Sequence, residues 1–228
     1  MNVRYLYGKK RFLMPVIRGE KGLRLSDLSH YSRMENALMR DNEMEKVFSL
    51  DRHVVQIFIN NMLINPDNMT ADPYFTIFPR HCYCVCFTSK GNDSELYEKF
   101  QADICIAFDV ERLQERLEIL SERFPGIFFR GKDITYYHPG TPPGTFSPEE
   151  LVFCKPHNFI HEAEYRIALF YPENKRGFAT KEGMNIPFRI EGESMHMEVG
   201  HTEPGYIRDC IIDIMYPSRS QLNPIRKD

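Results

Sequence analysis

The sequence predicts a mixed α+β domain with a mainly antiparallel β core and flanking helices. Three observations carry this expectation. Two runs, "HCYCVCFTS" and "DICIAFDV", are apolar on both faces, as buried strands are. The segment following Asp109 repeats its apolar residues with helical spacing. The span from Gly177 to Pro217 alternates, carries glycines and shows no strong helical pattern, so strands dominate the second half. A chain of 228 residues with no internal repeat is read as a single domain, 1–228.

The elements follow in order. "VRYLY" at 3–7 reads as a short strand, and "GLRLSDLSHY" as a turn followed by another. "RMENALMRDNEMEKVF" has a helical mix of Met, Leu, Ala and charge, whereas "LDRHVVQIFINNMLI" fits helix or strand because of its β-branched content. "NPDNMTADP" is a loop by its turn residues. "HCYCVCFTS" turns polar at Thr88 and Ser89, as a buried strand does where its end opens onto a site. Asp93 is placed to cap a short helix in "GNDSELYEKF". Leu113, Leu117, Leu120 and Phe124 recur at 4, 3 and 4 residues, giving an amphipathic helix capped by Asp109 and stopped by Pro125-Gly126. "HPGTPPGTFSPEE" is a loop in which Ser147, Pro148 and Glu150 announce another short helix. "YIRDCIIDIMYP" reads as a final core strand.

Composition narrows the classes. The hydrophobic fraction of 42%, with 17 Phe, 12 Tyr and no Trp, suffices for an aromatic-rich core. A net charge of -3 gives no bulk attraction to nucleic acid or anionic lipid, and leaves a local basic patch open. No apolar run approaches the roughly 20 residues needed to span a bilayer, and "MNVRYLYGKKRF" lacks a signal-peptide apolar region. The expectation is a soluble cytoplasmic chain with no membrane partner. Of the six cysteines, Cys82, Cys84 and Cys86 alternate on one face of their strand and are read as small buried residues. The phosphate-loop, dinucleotide-turn and nucleophile-elbow motifs are absent, so NTPase, Rossmann and α/β-hydrolase readings have no support.

The segment "FIHEAEYRIALF" is the richest in chemistry. As a strand it places Ile160, Glu162, Glu164, Arg166, Ala168 and Phe170 on one face. His161, Ala163, Tyr165, Ile167, Leu169 and Tyr171 take the other. As a helix it would wrap apolar residues all round at 167–171, so the pattern favours a strand. The charged face then leaves a cleft and enters the interior.

Glu-x-Glu on a strand, after an aromatic-bearing loop ("VFCKPHNF"), resembles the third motif of the NAD-dependent ADP-ribosyltransferases. "CFTSKGND" resembles their second, Ser-Thr-Ser at a strand end, with the first serine replaced. "VRYLYGKKR" offers Arg4 or Tyr7 for the first, an Arg or His on an early strand. The chain is also similar to a poorly characterised group of bacterial domains. The matching segments are "RYLY", "RDNE", "CFTS", "DICIAFD", "KPHNFIHEAEYRI" with Lys155, and "IIDIMYP".

The resemblance implies an ADP-ribosyltransferase-like fold, NAD as substrate, and a macromolecular acceptor, protein or nucleic acid. A toxin or phage-defence effector, with an antitoxin or inhibitor protein as partner, is the implied setting. It assigns Glu164 to stabilise an oxocarbenium-like ribose and hold its 2′-hydroxyl. Glu162 orients or deprotonates the acceptor. Ser89 and Thr88 hold the carboxylate or ribose, Arg4 binds pyrophosphate, and Tyr5, Tyr7 or Phe159 stack on nicotinamide. Two rival readings stand beside it. His157, His161 and Glu164, if helical, form a zinc-binding face of a hydrolase, although Asn158 follows His157 where a general-base Glu is needed. The other is a non-catalytic interaction module of a toxin–antitoxin or defence system.

Overall fold

The computed structural model describes residues 1–34, 42–122, 124–141, 147–203 and 205–218. The chain opens with β1 (Val3–Gly8), α1 (Lys10–Ile17), β2 (Leu23–Asp27), β3 (Lys46–Ser49), β4 (Phe58–Ile59), β5 (Met62–Leu63) and β6 (Tyr74–Ile77). It continues with β7 (Tyr83–Thr88), α2 (Ser94–Lys99), β8 (Ile104–Asp109), α3 (Val110–Ser121), β9 (Phe128–Asp133) and β10 (Thr135–Tyr137). It closes with α4 (Pro148–Leu151), β11 (Cys154–Pro156), β12 (Glu164–Phe170), β13 (Gly177–Ala179), β14 (Asn185–Pro187), β15 (His196–Val199) and β16 (Ile211–Met215).

Among the described residues, eight strands form the main sheet, in the order β15-β2-β7-β1-β8-β16 with β12 and β9 on the far side of β7. Its described pairings are antiparallel, as the sequence predicts. Strand β7 is the hub. Strand β12 takes one edge of it from Tyr83 to Thr88. The other edge is shared, with Tyr5 of β1 opposite Thr88, and Ser26 and Asp27 of β2 opposite Cys84 and Tyr83. Between these points Val85, Cys86 and Phe87 pair with β12 alone. The sheet therefore forks at the middle of its central strand.

Packing explains the sequence pattern. On one face Ile104, Ile106, Phe108, Ile167 and Phe87 bury against Leu113 and Leu117 of α3. Each fully buried aliphatic or Phe side chain contributes roughly 1.5–3 kcal/mol by leaving water. On the other face Cys82 and Cys84 pack with Leu28, Val152, Phe153, Ala168 and Phe170, and Cys86 sits against them, as small interior residues. The predicted caps are in place. Asp109 accepts from the Arg112 amide at 3.4 Å, Asp93 from Glu95 at 2.9 Å, and Ser147 from Glu150 at 3.2 Å.

Several expectations need correction. Residues His157–Glu162 form a 3-10 turn, and Ala163 takes a left-handed φ of 44°, so the strand begins only at Glu164. From there the alternation holds, with Arg166, Ala168 and Phe170 opposite Tyr165, Ile167 and Leu169. The helix expected from "RMENALMRDNEMEKVF" meets β3 at its end, where Lys46–Ser49 pair with β6; residues 35–41 lie outside the described residues. "LDRHVVQIFINNMLI" holds a tight β4–β5 hairpin, whose turn residues Asn60 and Asn61 have φ of 49° and 64°. Phe124 falls beyond α3 and is half exposed, and the side chain of Leu120 lies outside the described residues. Strand β16 is an edge strand with Ile212 exposed, rather than a core strand. Helix α1, with Pro15 inside it, and strands β9 and β10 were not expected. Among the described residues, no helix is long and apolar enough to cross a membrane.

Candidate functional site

A cavity of about 700 Å³ opens at the fork, bounded by Tyr5 and Tyr7 of β1, Ser26 of β2 and the stretch Val85–Phe87 that pairs with β12 alone. That volume lies within the usual range for small-molecule sites, about 300–1,000 Å³. Its two ends differ in charge. At the buried end stand Lys155, Glu162 and Glu164, each about 5% exposed. At the open end stand Lys9, Arg11, Lys21 and Arg24.

The buried end is one connected network. Lys155 Nζ lies 2.6 Å from Glu162 Oε2 and 3.1 Å from Glu164 Oε2. Arg166, fully buried, donates from Nε to Glu164 Oε1 at 2.8 Å and from Nη2 to Glu43 Oε1 at 2.7 Å. Its Nη1 donates to the Val152 carbonyl at 2.7 Å. Lys46 Nζ reaches Glu43 Oε2 at 2.8 Å, and Lys99 Nζ reaches Glu162 Oε1 at 2.7 Å. Such charges persist in a low-dielectric interior because each carboxylate meets at least two cations.

Local structure explains how the two glutamates meet. Two residues apart, they would share a face of a straight strand, but Glu162 ends the 3-10 turn. The left-handed Ala163 reverses the chain between them, so both carboxylates converge on Lys155. Thr88 secures the turn by donating from Oγ1 to the Glu162 carbonyl at 2.6 Å. Tyr136 accepts the Glu164 amide at 2.8 Å.

The electrostatics follow from these contacts. Burial alone pushes Glu164 up, but Arg166 and Lys155 outweigh it and hold the carboxyl at about 2. Burial likewise opposes the charge on Glu43, and Arg166, Lys46 and Lys155 hold it well below the ordinary carboxylate range. Burial opposes the ammonium of Lys155 too, and Glu164, Glu43 and Glu162 keep it protonated. Cys86, whose Sγ lies 3.0 Å from Tyr31 Oη, is pushed up by Cys84 and by burial and stays a thiol. Glu164 is thus a fixed negative charge and a hydrogen-bond acceptor, ill suited to serve as a general base at neutral pH.

Of the residues singled out from the sequence, Glu162, Glu164, Tyr5, Tyr7 and Thr88 line the cavity. The Tyr7 hydroxyl is engaged with the following loop, donating to the Lys90 carbonyl at 2.9 Å and accepting the Asp93 amide at 2.8 Å. Three others do not line it. Arg4 points away, pairing with Asp133 at 3.0 Å and lying 5.2 Å over the Tyr165 ring. Ser89 is exposed and meets Ala163 through its backbone amide. Phe159 packs beneath the cations, 4.5 Å from Lys155 Nζ and 5.5 Å from Lys99 Nζ. The turn also disperses the predicted histidine face. His157 stacks on His138, and His161 approaches Lys99. Among the described residues, no group of three or more His, Cys, Asp or Glu could hold a metal ion.

Lys155 and Glu43 fall within the matching segments, which assign them no role. Lys99, Tyr31, Tyr136 and the cations of the open end join the site only through the fold. The run "GKKR" was the visible signal for Lys9 and Arg11. Comparison of the chain with protein-family models, with curated proteins and with solved structures returned no match.

Proposed function

We propose that the cavity binds NAD and that the protein transfers ADP-ribose to a macromolecular acceptor, on an ADP-ribosyltransferase-like fold. The observation that carries this reading is the ionised Glu164 fixed at the buried end of a cavity of about 700 Å³. Aromatic and apolar walls from Tyr5, Phe87 and Phe100 suit nicotinamide and ribose, and the cations of the open end suit a pyrophosphate. In the transfer, the bond between ribose C1′ and the nicotinamide nitrogen breaks, and nicotinamide leaves with the electron pair. The acceptor's nucleophilic atom bonds to C1′ and releases its proton. Glu164 stabilises the positive charge that develops on the sugar. Glu162, tied to Lys99 and Lys155, stands beside Glu164 and fixes the charge of the buried end. A growth-arresting toxin or phage-defence effector is the setting this activity suits, by analogy of chemistry only.

The test is incubation of the protein with NAD labelled in the adenylate phosphate and with cell extract, followed by protease or nuclease. Label is expected in a macromolecule, with free nicotinamide in equal amount, and Glu164→Gln is expected to lower both by about 10²-fold or more. Absence of label and of nicotinamide release with folded protein would sink the reading. The alternative, a non-catalytic interaction module, draws on the exposed apolar side chains of the β4–β5 hairpin: Phe58, Ile59, Met62 and Leu63. It predicts that Glu164→Gln leaves every cellular effect intact.

A further inference from the structure

The open end of the cavity carries more positive charge than a dinucleotide uses. Lys9, Arg11, Lys21 and Arg24 line it, with Glu198 opposite Arg24 in the β15–β2 ladder. Glu198 is itself engaged, accepting the Gly22 amide at 3.0 Å. Four basic side chains against the one carboxylate of Glu198 still exceed the two charges of a pyrophosphate, in a chain whose net charge is -3. The excess is local and continues along the surface. Lys10, next in "GKKRF", is exposed and lies 4.4 Å over the ring of Tyr216. The Arg11 guanidinium lies 4.6 Å over the ring of Phe12, a residue that borders the cavity and is 58% exposed. His30 also lines the cavity, where burial and then Arg24 disfavour its charged form.

Clustered cations with exposed aromatic rings among them match a flexible polyanion whose planar groups can stack. A duplex hides its base faces, and an acidic protein segment has none. We infer that the macromolecular acceptor is a single-stranded nucleic acid, laid over Lys9, Lys10 and Arg11 with an unpaired base on Phe12. This rests on the transfer reading for the chemistry: a base nitrogen or oxygen replaces nicotinamide on C1′ and its proton passes to solvent. The binding surface itself does not depend on that reading.

The experiment uses the full chain and a short, mixed-sequence, fluorescently labelled single strand, as DNA and as RNA, with binding followed by anisotropy over a range of salt. NAD binding is measured on the same samples by calorimetry. Engagement of three or four phosphates predicts a log–log salt slope of about -2 to -3. Lys10→Ala is expected to lower that slope by about 0.7 with NAD binding unchanged, since Lys10 does not line the cavity. Phe12→Ala is expected to weaken strand binding by roughly fivefold to a hundredfold, the usual effect of losing one stacking ring. Both side chains are exposed, and unchanged thermal unfolding checks that the variants fold. Salt-independent binding, no binding, equal affinity in both variants, or label confined to a protein acceptor would each overturn the inference. Strand binding without NAD binding would instead sink the transfer reading and leave this surface standing.

Discussion

Arg166 grips one oxygen of Glu164 with two nitrogens, Nε at 2.8 Å and Nη2 at 2.6 Å. The same guanidinium spans Glu43 with Nη1 at 3.2 Å and Nη2 at 2.7 Å. A planar fork is required to serve both carboxylates and the Val152 carbonyl at once. Arg166→Met would leave Glu164 and Glu43 buried with fewer cations. The expected loss is about 3–5 kcal/mol, read from urea unfolding. Arg166→Lys is expected to recover less than half of it, because an ammonium cannot bridge the two. A loss under about 1 kcal/mol in Arg166→Met would refute the network's structural role.

Stability should depend on acid in a defined window. The folded pKa of Glu164 is about 2, below its ordinary value of 4.5, so its contribution is complete above the ordinary value and lost as pH falls toward 2. Glu43 acts in the same direction. The Glu164 contribution is on the order of 3 kcal/mol. Urea midpoints measured from pH 7 to pH 3 should hold steady to about pH 5 and then drop. Glu164→Gln should flatten that drop, and a wild-type midpoint unchanged at pH 3 would contradict the assignment.

Ala163 carries a side chain in a conformation that glycine adopts freely, with φ of 44°. Ala163→Gly removes a steric cost of about 1–2 kcal/mol and adds chain entropy to the unfolded state, so the net gain should be about 1 kcal/mol or less. Ala163→Val should destabilise by about 1–3 kcal/mol, since a β-branched residue tolerates this region poorly. Thermal unfolding of the two variants in opposite directions is the expected result. Two shifts of the same sign would count against it.

Gly91 lies against the ring of Tyr5 on its one crowded side. A Cβ at this position would lie 2.5 Å from Cε1 and Cζ of Tyr5. Gly91→Ala must displace that ring, and Tyr5 lines the cavity. The expected outcome is several-fold weaker NAD binding by calorimetry, with a stability loss of about 1–3 kcal/mol from overpacking. Unchanged affinity would show that the Tyr5 ring takes no part in binding.

Much of this was legible in the sequence, and the failures share a cause. The two-faced apolar runs gave β7 and β8 correctly, and Asp93, Asp109 and Ser147 marked three helix starts, because those signals are local. The alternation of "EYRIALF" was readable for the same reason. Where the strand begins was not, since an alanine gives no hint of a left-handed turn held by partners elsewhere in the chain, Thr88 on the Glu162 carbonyl and Lys155 on its carboxylate. Arg4 and Tyr7 shared one strand signal, yet only contacts distant in sequence, Asp133 for one and Lys90 for the other, decide which reaches the cavity. The burial of Glu43, with Lys46 paired to it, was not readable in its charged segment, because a short-range pattern cannot see that Arg166, more than a hundred residues away, meets Glu43.

The fork in the sheet has a mechanical consequence. Two ladder positions, Ser26–Cys84 and Asp27–Tyr83, fasten β2 to the hub strand, and β15 follows β2 as its outer leaf. Leu23 and Leu25 of β2 sit in the main apolar core, and Met197 and Val199 of β15 pack against it, so core packing holds this leaf where the ladder does not. The width of the mouth is thereby set by how Leu23, which borders the cavity, seats in that core.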